Sequence, residues 1–381
     1  MAGPVSVREL TPTHTRLLRF AAAKPQDDAA IRRLLRENPM AGMIRLTFER
    51  EPAYFAGAEL AGAREQTILA TSGERVLCMG RCTERLCWVG GDVRRVGYLS
   101  ELRLDRSARG RFDILRQGYR FFREQERAAP AELYFTSIAA DNHHARRLFE
   151  RGVPGLPTYR FVADFVTRVI PSPRLTAAPN STFRHRTATA ADTEAIVALL
   201  NEHGTRHDLA AHWTHARLAS LAAHGLPLER FHLLLAGNRL LACAALWDQR
   251  AFRQTIVRGY GSLLRLTRPW LNLFARLTRR VELPPIGACV PHAFVSPVAS
   301  VEDRSDLVLE LIGRLGPEAA RLGARLLTFG FGAADPRLAA LRRKYAGREY
   351  QTRLYQVSWP GDSERPRLTP AGTAMPEAAL L

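Results

Sequence analysis

An apolar strand that runs into an arginine-rich turn and straight on into an amphipathic helix leaves a chain few folds to choose from. Val96 to Glu124, VGYLSELRLDRSARGRFDILRQGYRFFRE, is such a segment. The first N–H groups of a helix have no intrahelical partner and carry the positive end of its dipole, so a phosphate docks there. Arg106, Arg109 and Arg111 add charge at that point. About thirty residues on, Leu133 to Ala139 read as a second strand, which breaks at Asp141 into a helix starting near Asn142. Thr67 to Ala70 and Arg75 to Arg81 flank Ser72-Gly73-Glu74 as a hairpin.

The pattern occurs twice. Asp27-x-x-x-Ile31 followed by Leu34 and Leu35 returns as Asp192-x-x-x-Ile196 followed by Leu199 and Leu200, about 165 residues later. Each copy reads as a short strand, an Asp N-cap and a first helix. Ala139-Ala140-Asp141 returns as Ala333-Ala334-Asp335 about 194 residues later, so the second copy carries an insertion of nearly thirty residues. We place it at Arg258 to Arg280, where Leu263, Leu266, Trp270, Leu273, Phe274 and Leu277 fall at helical spacing and Arg265, Arg268, Arg276 and Arg279 take the other face. The expectation for this helix is that its apolar stripe packs on its own domain; lying on an anionic membrane is the alternative. Residues 171–182 have linker composition, and 360–381, rich in proline and small residues, are expected to be a disordered tail. The reading is thus α/β, with two tandem domains at 1–170 and 183–359, each a mostly antiparallel mixed sheet flanked by helices.

At 381 residues the chain exceeds one ordinary core, and its 46% apolar and 24% charged residues belong to a globular protein. No apolar run approaches the ~20 residues of a membrane span, and the N-terminal sequence lacks the order of a secretory signal, so the reading is cytoplasmic. Five cysteines, odd in number and unevenly spread, argue against a disulfide framework. The net charge of +18 is almost entirely arginine, Lys24 and Lys344 being the two lysines. The arginines are spread over both halves without aromatic interleaving, so no specific nucleic-acid partner is expected, although the field favours anions.

The order strand, anion-binding turn, helix, strand and Asn142-x-x-Ala145 helix resembles the acyl-CoA-binding half of the GNAT acyltransferase superfamily, and the repeat resembles a tandem GNAT arrangement covering about 340 residues. The resemblance implies an acyl-CoA-dependent N-acyltransferase, with acetyl-CoA as co-substrate and a small-molecule or peptide amine as acceptor. The family's turn reads Arg/Gln-x-x-Gly-x-Gly/Ala; this chain keeps Arg109 and has Phe112 and Ile114 where the glycines stand, with Asp113 between them. The implied cofactor contacts are Leu102, Arg103 and Leu104 on the strand, Arg109, Gly110 and Arg111 in the turn, and Asn142 at the second helix. Glu101, just before the turn, takes the place of the family's acidic base. Backbone N–H groups near Leu102 to Leu104 would hold the oxyanion. Phe149 stands where the family has a proton-donating tyrosine, leaving Tyr159 as the implied acid, or His143 or His144. The matching turn of the second half carries Glu302 and Asp303, which implies a non-catalytic copy.

Two constellations compete with this picture. Glu49 and Glu51 form an acidic pair in a basic chain and could attract a cationic amine. His203, His207, His212 and His215 invite a metal, but Gly204 interrupts the helix between the first two and no HExxH or cysteine partner accompanies them, so no metal site is expected. The alternatives to acyl transfer from CoA are a GNAT-like aminoacyltransferase using aminoacyl-tRNA and a non-catalytic pseudo-acyltransferase that binds a partner or membrane surface.

Overall fold

In the computed structural model the described residues are 18–40, 42–57, 60, 62, 64–176, 183–278, 281–362, 365–369 and 374–381. Most strands join one twelve-stranded sheet in the order β1-β3-β4-β5-β6-β14-β7-β13-β12-β10-β9-β8. From the first half come β1 (Leu18–Ala22), β3 (Arg64–Ser72), β4 (Arg75–Val89), β5 (Asp92–Leu104), β6 (Leu133–Ala139) and β7 (Thr158–Pro171). From the second come β8 (Arg184–Thr187), β9 (Phe231–Ala236), β10 (Arg239–Trp247), β12 (His292–Ser300), β13 (Leu326–Gly332) and β14 (Arg348–Ser358). The pairs are antiparallel except β5 with β6 and β12 with β13, which are the two places where a helix returns the chain.

The repeat is visible where the first helices start. Asp27 before α1 (Asp28–Glu37) and Asp192 before α4 (Thr193–Thr205) make no side-chain cap bond to those helices, contrary to the expected N-cap; each instead closes the preceding 3-10 turn, accepting from the Lys24 N–H and the Thr189 N–H at 2.8 Å. Ile31, Leu34 and Leu35 in one helix and Ile196, Leu199 and Leu200 in the other are buried. The expected Ser72 to Arg75 hairpin is present, with Gly73 at φ +62 supplying the turn.

The halves do not close separately. β14 lies between β6 and β7, and β7 lies against β13, so each half's last strand is paired with the other half. A two-stranded ribbon of β2 (Ile44–Glu49) and β11 (Gln254–Tyr260) joins them again. Residues 177–182 of the expected linker lie outside the described residues; of the remainder, Pro171 ends β7 and Leu175 is buried.

The expectation of a disordered 360–381 tail is overturned for its described residues. Leu368, Ala374, Met375, Ala379 and Leu380 are buried, and Asp362 pairs with Arg123 at 2.6 Å. The small residues behind the expectation of disorder are what a narrow cleft accepts: a Cβ on Gly330 of β13 would stand 2.4 Å from the Ala378 side chain.

Candidate acyl-transfer site

β5 and β6 run parallel from Val96↔Leu133 to Leu99↔Thr136 and then part. Beyond Leu99, β5 is bonded to β4 alone among the described residues, so the other edge of Ser100 to Leu104 faces a cleft. Thr136 Oγ1 donates to the Leu99 carbonyl at 2.6 Å where the strands separate. The register of β5 on β4 shifts between Arg81↔Ser100 and Met79↔Arg103, and Glu101 in the bulge has φ +52. A glutamate in the left-handed region is uncommon, and a bulge re-aims backbone groups beside it. Of the three residues the resemblance implied on this strand, Leu102 and Arg103 line the cleft, with Arg103 donating to its neighbour's carbonyl, Leu102 O, at 3.0 Å, while Leu104 is paired with Cys78 of β4 and is not part of the lining.

The turn after β5 is built around Asp105. Its carboxylate accepts from Ser107 N at 2.8 Å and from Arg75 at 2.8 Å, fixing residues 106–108 as one 3-10 turn before α2 (Phe112–Gln125). Arg109, Gly110 and Arg111 lie exposed at the start of α2. Gly110 has φ +82, and a Cβ there would meet nothing within 4 Å, so the glycine serves backbone conformation. Asp113 is held by Arg111 through Nε at 3.1 Å, which disposes of the carboxylate that the sequence set beside a diphosphate. Arg109 has no ion pair among the described residues. Asn142 caps α3 (His143–Glu150), accepting from Ala145 N at 3.1 Å, on the opposite wall of the cleft.

The cleft opens into a cavity of about 1360 Å³ lined by both halves. Glu101 faces it from β5, with Oε1 2.6 Å from an Arg50 guanidinium nitrogen and Oε2 accepting from Tyr54 OH at 3.0 Å. Arg81 is 3.6 Å away. Burial would raise this carboxyl, but Arg50 and Arg81 outweigh it and hold it at about 2. Tyr159 lies on the far wall, stacked on Phe149 at 4.3 Å between ring centroids and hydrogen-bonded to Tyr119. Burial pushes its phenol well above the ordinary tyrosine range. Tyr159 and Glu101 thus share one cavity. His143 and His144 are exposed on α3.

Arg253 and His292 line the same cavity and were not singled out by the sequence. Burial, then Arg50 and Arg81, lower Arg253 to about 9, and it donates to Ala379 O at 2.8 Å and Leu381 O at 2.9 Å. Burial holds His292 at about 4, between Thr255 Oγ1 and Thr328 Oγ1. Neither residue lies in a local motif; each enters the site through pairing of distant strands. Glu49 and Glu51 are not available to an amine: Glu49 pairs with Arg258 and Arg36, and Glu51 with Arg32 and Arg36.

In the second half, β12 and β13 part in the same way after Phe294↔Thr328, but the gap is filled by the chain itself. Ala378 packs on Gly330, and Glu377 accepts from Ser296 Oγ at 2.6 Å. At the following turn Asp303 accepts from His203, His207 and Arg206, with Arg337 at 3.3 Å. His203, His207 and Asp303 place ligand atoms within 4.8 Å of one another. The fully buried Arg337 guanidinium, 3.4 Å from His203 Nε2, already supplies the cation. That charge does not fit a metal ion.

The fold is that of GNAT-family structures, with the two halves sharing one sheet. A GCN5-related N-acetyltransferase from Sphaerobacter thermophilus is similar at 15% identity, with 94% of this chain and 98% of that one covered and a TM-score of 0.55. N-myristoyltransferase from Saccharomyces cerevisiae with bound myristoyl-CoA is similar at 10% identity, with 97% and 85% covered and a TM-score of 0.59. No family model and no curated protein matches the sequence.

Proposed function

We propose that this chain is an acyl-CoA-dependent N-acyltransferase whose thioester lies in the β5/β6 cleft and whose amine enters the cavity between the halves. The parting of β5 from β6, with a bulge at Glu101 and the α2 N-terminus at its mouth, carries the reading. A neutral amine attacks the thioester carbonyl carbon, the tetrahedral oxyanion collapses, the C–S bond breaks and CoA leaves as the thiol. Backbone N–H groups of Leu102 to Leu104 on the open edge are proposed to hold the oxyanion. Arg109, Arg111 and the helix start take the pyrophosphate, and Asn142 meets the pantetheine arm. Tyr159, protonated and paired with Tyr119, donates a hydrogen bond or proton to the departing sulfur. Glu101 stays ionised, holds the ammonium formed on attack, and accepts its proton only once that nitrogen has become strongly acidic.

Acetyl is the acyl group the sequence resemblance implies. The cavity supports a larger one: pockets for drug-sized ligands run to about 300–1,000 Å³, and an acetyl group would leave most of this volume open. Thiol release with acetyl-, octanoyl- and myristoyl-CoA against a panel of amines and amino acids tests both points. We expect turnover, with kcat/KM rising with chain length. No thiol release with any pair, together with no acyl-CoA-induced rise in Tm, would remove the enzyme reading.

A further inference from the structure

The inserted helix α6 (Ser262–Leu277) is built inside out. Its docked face consists of Leu264, Arg268, Asn272 and Ala275, one residue per turn. The contacts there are polar: Asn272 Nδ2 donates to Leu283 O at 3.0 Å, the Leu283 N–H returns to Asn272 Oδ1 at 2.8 Å, and Arg268 lies over the Tyr260 ring. The apolar stripe points away from the protein. Leu263 and Leu277 are each 77% exposed, Trp270 75% and Leu266 71%, and Leu273 and Phe274 about half. At ~100° per residue these six fall within roughly 100° of arc. The expectation that this stripe packs on its own domain is overturned.

A stripe of this size costs solubility unless something covers it. Charge says what. Residues 258–280 contain no acidic side chain, and Arg265 and Arg276 stand exposed along one flank of the stripe, Arg276 with Glu282 at 2.9 Å and Arg265 with no ion pair among the described residues. Two such helices facing each other would set arginines against arginines. Leucine, tryptophan and phenylalanine beside arginine instead match the interface of an anionic bilayer, where aromatic and aliphatic side chains enter the acyl boundary and guanidiniums meet phosphates. Met43, 70% exposed, extends the surface at the helix start, where its carbonyl accepts from Gly261 N at 2.8 Å. No described helix is long and apolar enough to cross a membrane, so the geometry is that of a helix lying flat.

We propose that α6 docks this protein on anionic phospholipid membrane. The segment that holds it, Val281 to Pro284, also lines the acyl-transfer cavity, so docking brings the cavity mouth to the lipid surface. The test is cosedimentation of the full chain with vesicles of phosphatidylcholine alone or with about one-third phosphatidylglycerol. We expect binding to the mixed vesicles that weakens with salt. Leu266→Glu with Trp270→Glu should abolish it, and Arg265→Glu with Arg276→Glu should weaken it on the order of tenfold or more. All four side chains are exposed and the Arg276–Glu282 pair is a surface one, so thermal unfolding should change by little. Equal binding to both vesicle types, no binding at low salt, or a solution dimer that Trp270→Glu dissolves would each overturn the proposal. None of these readouts depends on acyl transfer, so they stand or fall apart from the proposed activity.

Discussion

Nδ1 of His203 lies 2.6 Å from a carboxylate oxygen of Asp303, at the corner of the second half that corresponds to the phosphate turn of the first. Arg206 and Arg337 converge on the same carboxylate. The second half has kept a cationic corner and supplies the anion from its own chain. With the neighbouring cleft filled by Glu377 and Ala378, this supports the proposal that the first half alone takes the cofactor.

The corner makes stability pH-dependent. Burial holds His203, and likewise His232 and His292, at about 4. An unfolded imidazole titrates near 6.5, so between ~6.5 and ~4 the unfolded chain binds more protons, and stability is lost as pH falls through that window. Each buried histidine contributes on the order of 3 kcal/mol at most, and Asp303, held far below the ordinary carboxylate range, adds a further loss below ~pH 4. Tm measured from pH 7.5 to 4.5 should fall steeply below 6.5. A flat profile to pH 4.5 would contradict the burial.

Cofactor binding should respond to one half only. Arg109→Glu with Arg111→Glu reverses the field at the α2 start and leaves Asp113 unpaired, so acyl-CoA affinity should drop by at least tenfold, with Tm nearly unchanged for exposed side chains. Glu302→Ala should change neither. Asp303→Ala differs: it removes the carboxylate on His203, leaves the charge of buried Arg337 to Asp335 and that of Arg206 to Glu202, and should lower stability by about 2–4 kcal/mol without altering CoA affinity. Isothermal titration with CoA separates these outcomes.

Much of this was legible where local rules act. The strand 133–139, the Asn142 cap, the hairpin at Gly73 and the paired helix starts after Asp27 and Asp192 all follow from residues close in sequence. The exchange of β7 and β14 was not legible, because each strand's alternation is satisfied by any partner of the right register. Nor was the bulge at Glu101, since nothing in a glutamate announces positive φ. The reversal of α6 escaped because periodicity gives a stripe and not the side it faces.

Packing of the tail into the second cleft should be measurable. Met375→Ala removes a buried thioether between α4 and β12 and should cost about 2–4 kcal/mol, against under 1 for an exposed change such as Glu74→Ala. Removing residues 374–381 should cost more, since Arg253 loses its Ala379 and Leu381 acceptors and Arg85 loses Leu380 O. Chemical denaturation gives the values, and Met375→Ala with wild-type stability would show the cleft to be open.

Glu101 offers the sharpest test of mechanism. A base that works by holding a proton near neutral pH leaves an acid limb in kcat/KM at its own pKa. With Arg50 and Arg81 holding Glu101 at about 2, no such limb should appear between pH 5 and 9, and kcat/KM should rise with unit slope until the amine itself is neutral. Its depressed value also means that its contribution to stability is present above ~4.3 and lost toward pH 2. Glu101→Gln keeps the shape but removes the charge that holds the ammonium, so kcat should fall on the order of a hundredfold while the slope of the profile and the CoA affinity stay as they were. The same change leaves buried Arg50 without its carboxylate and Arg81 with Glu65 alone, so stability should drop by roughly 2–4 kcal/mol, and rates must be compared well below the variant's Tm. An acid limb near pH 6–7 in the wild type that vanishes in Glu101→Gln would instead make Glu101 a conventional base, its carboxyl freed from the arginines once substrate is bound.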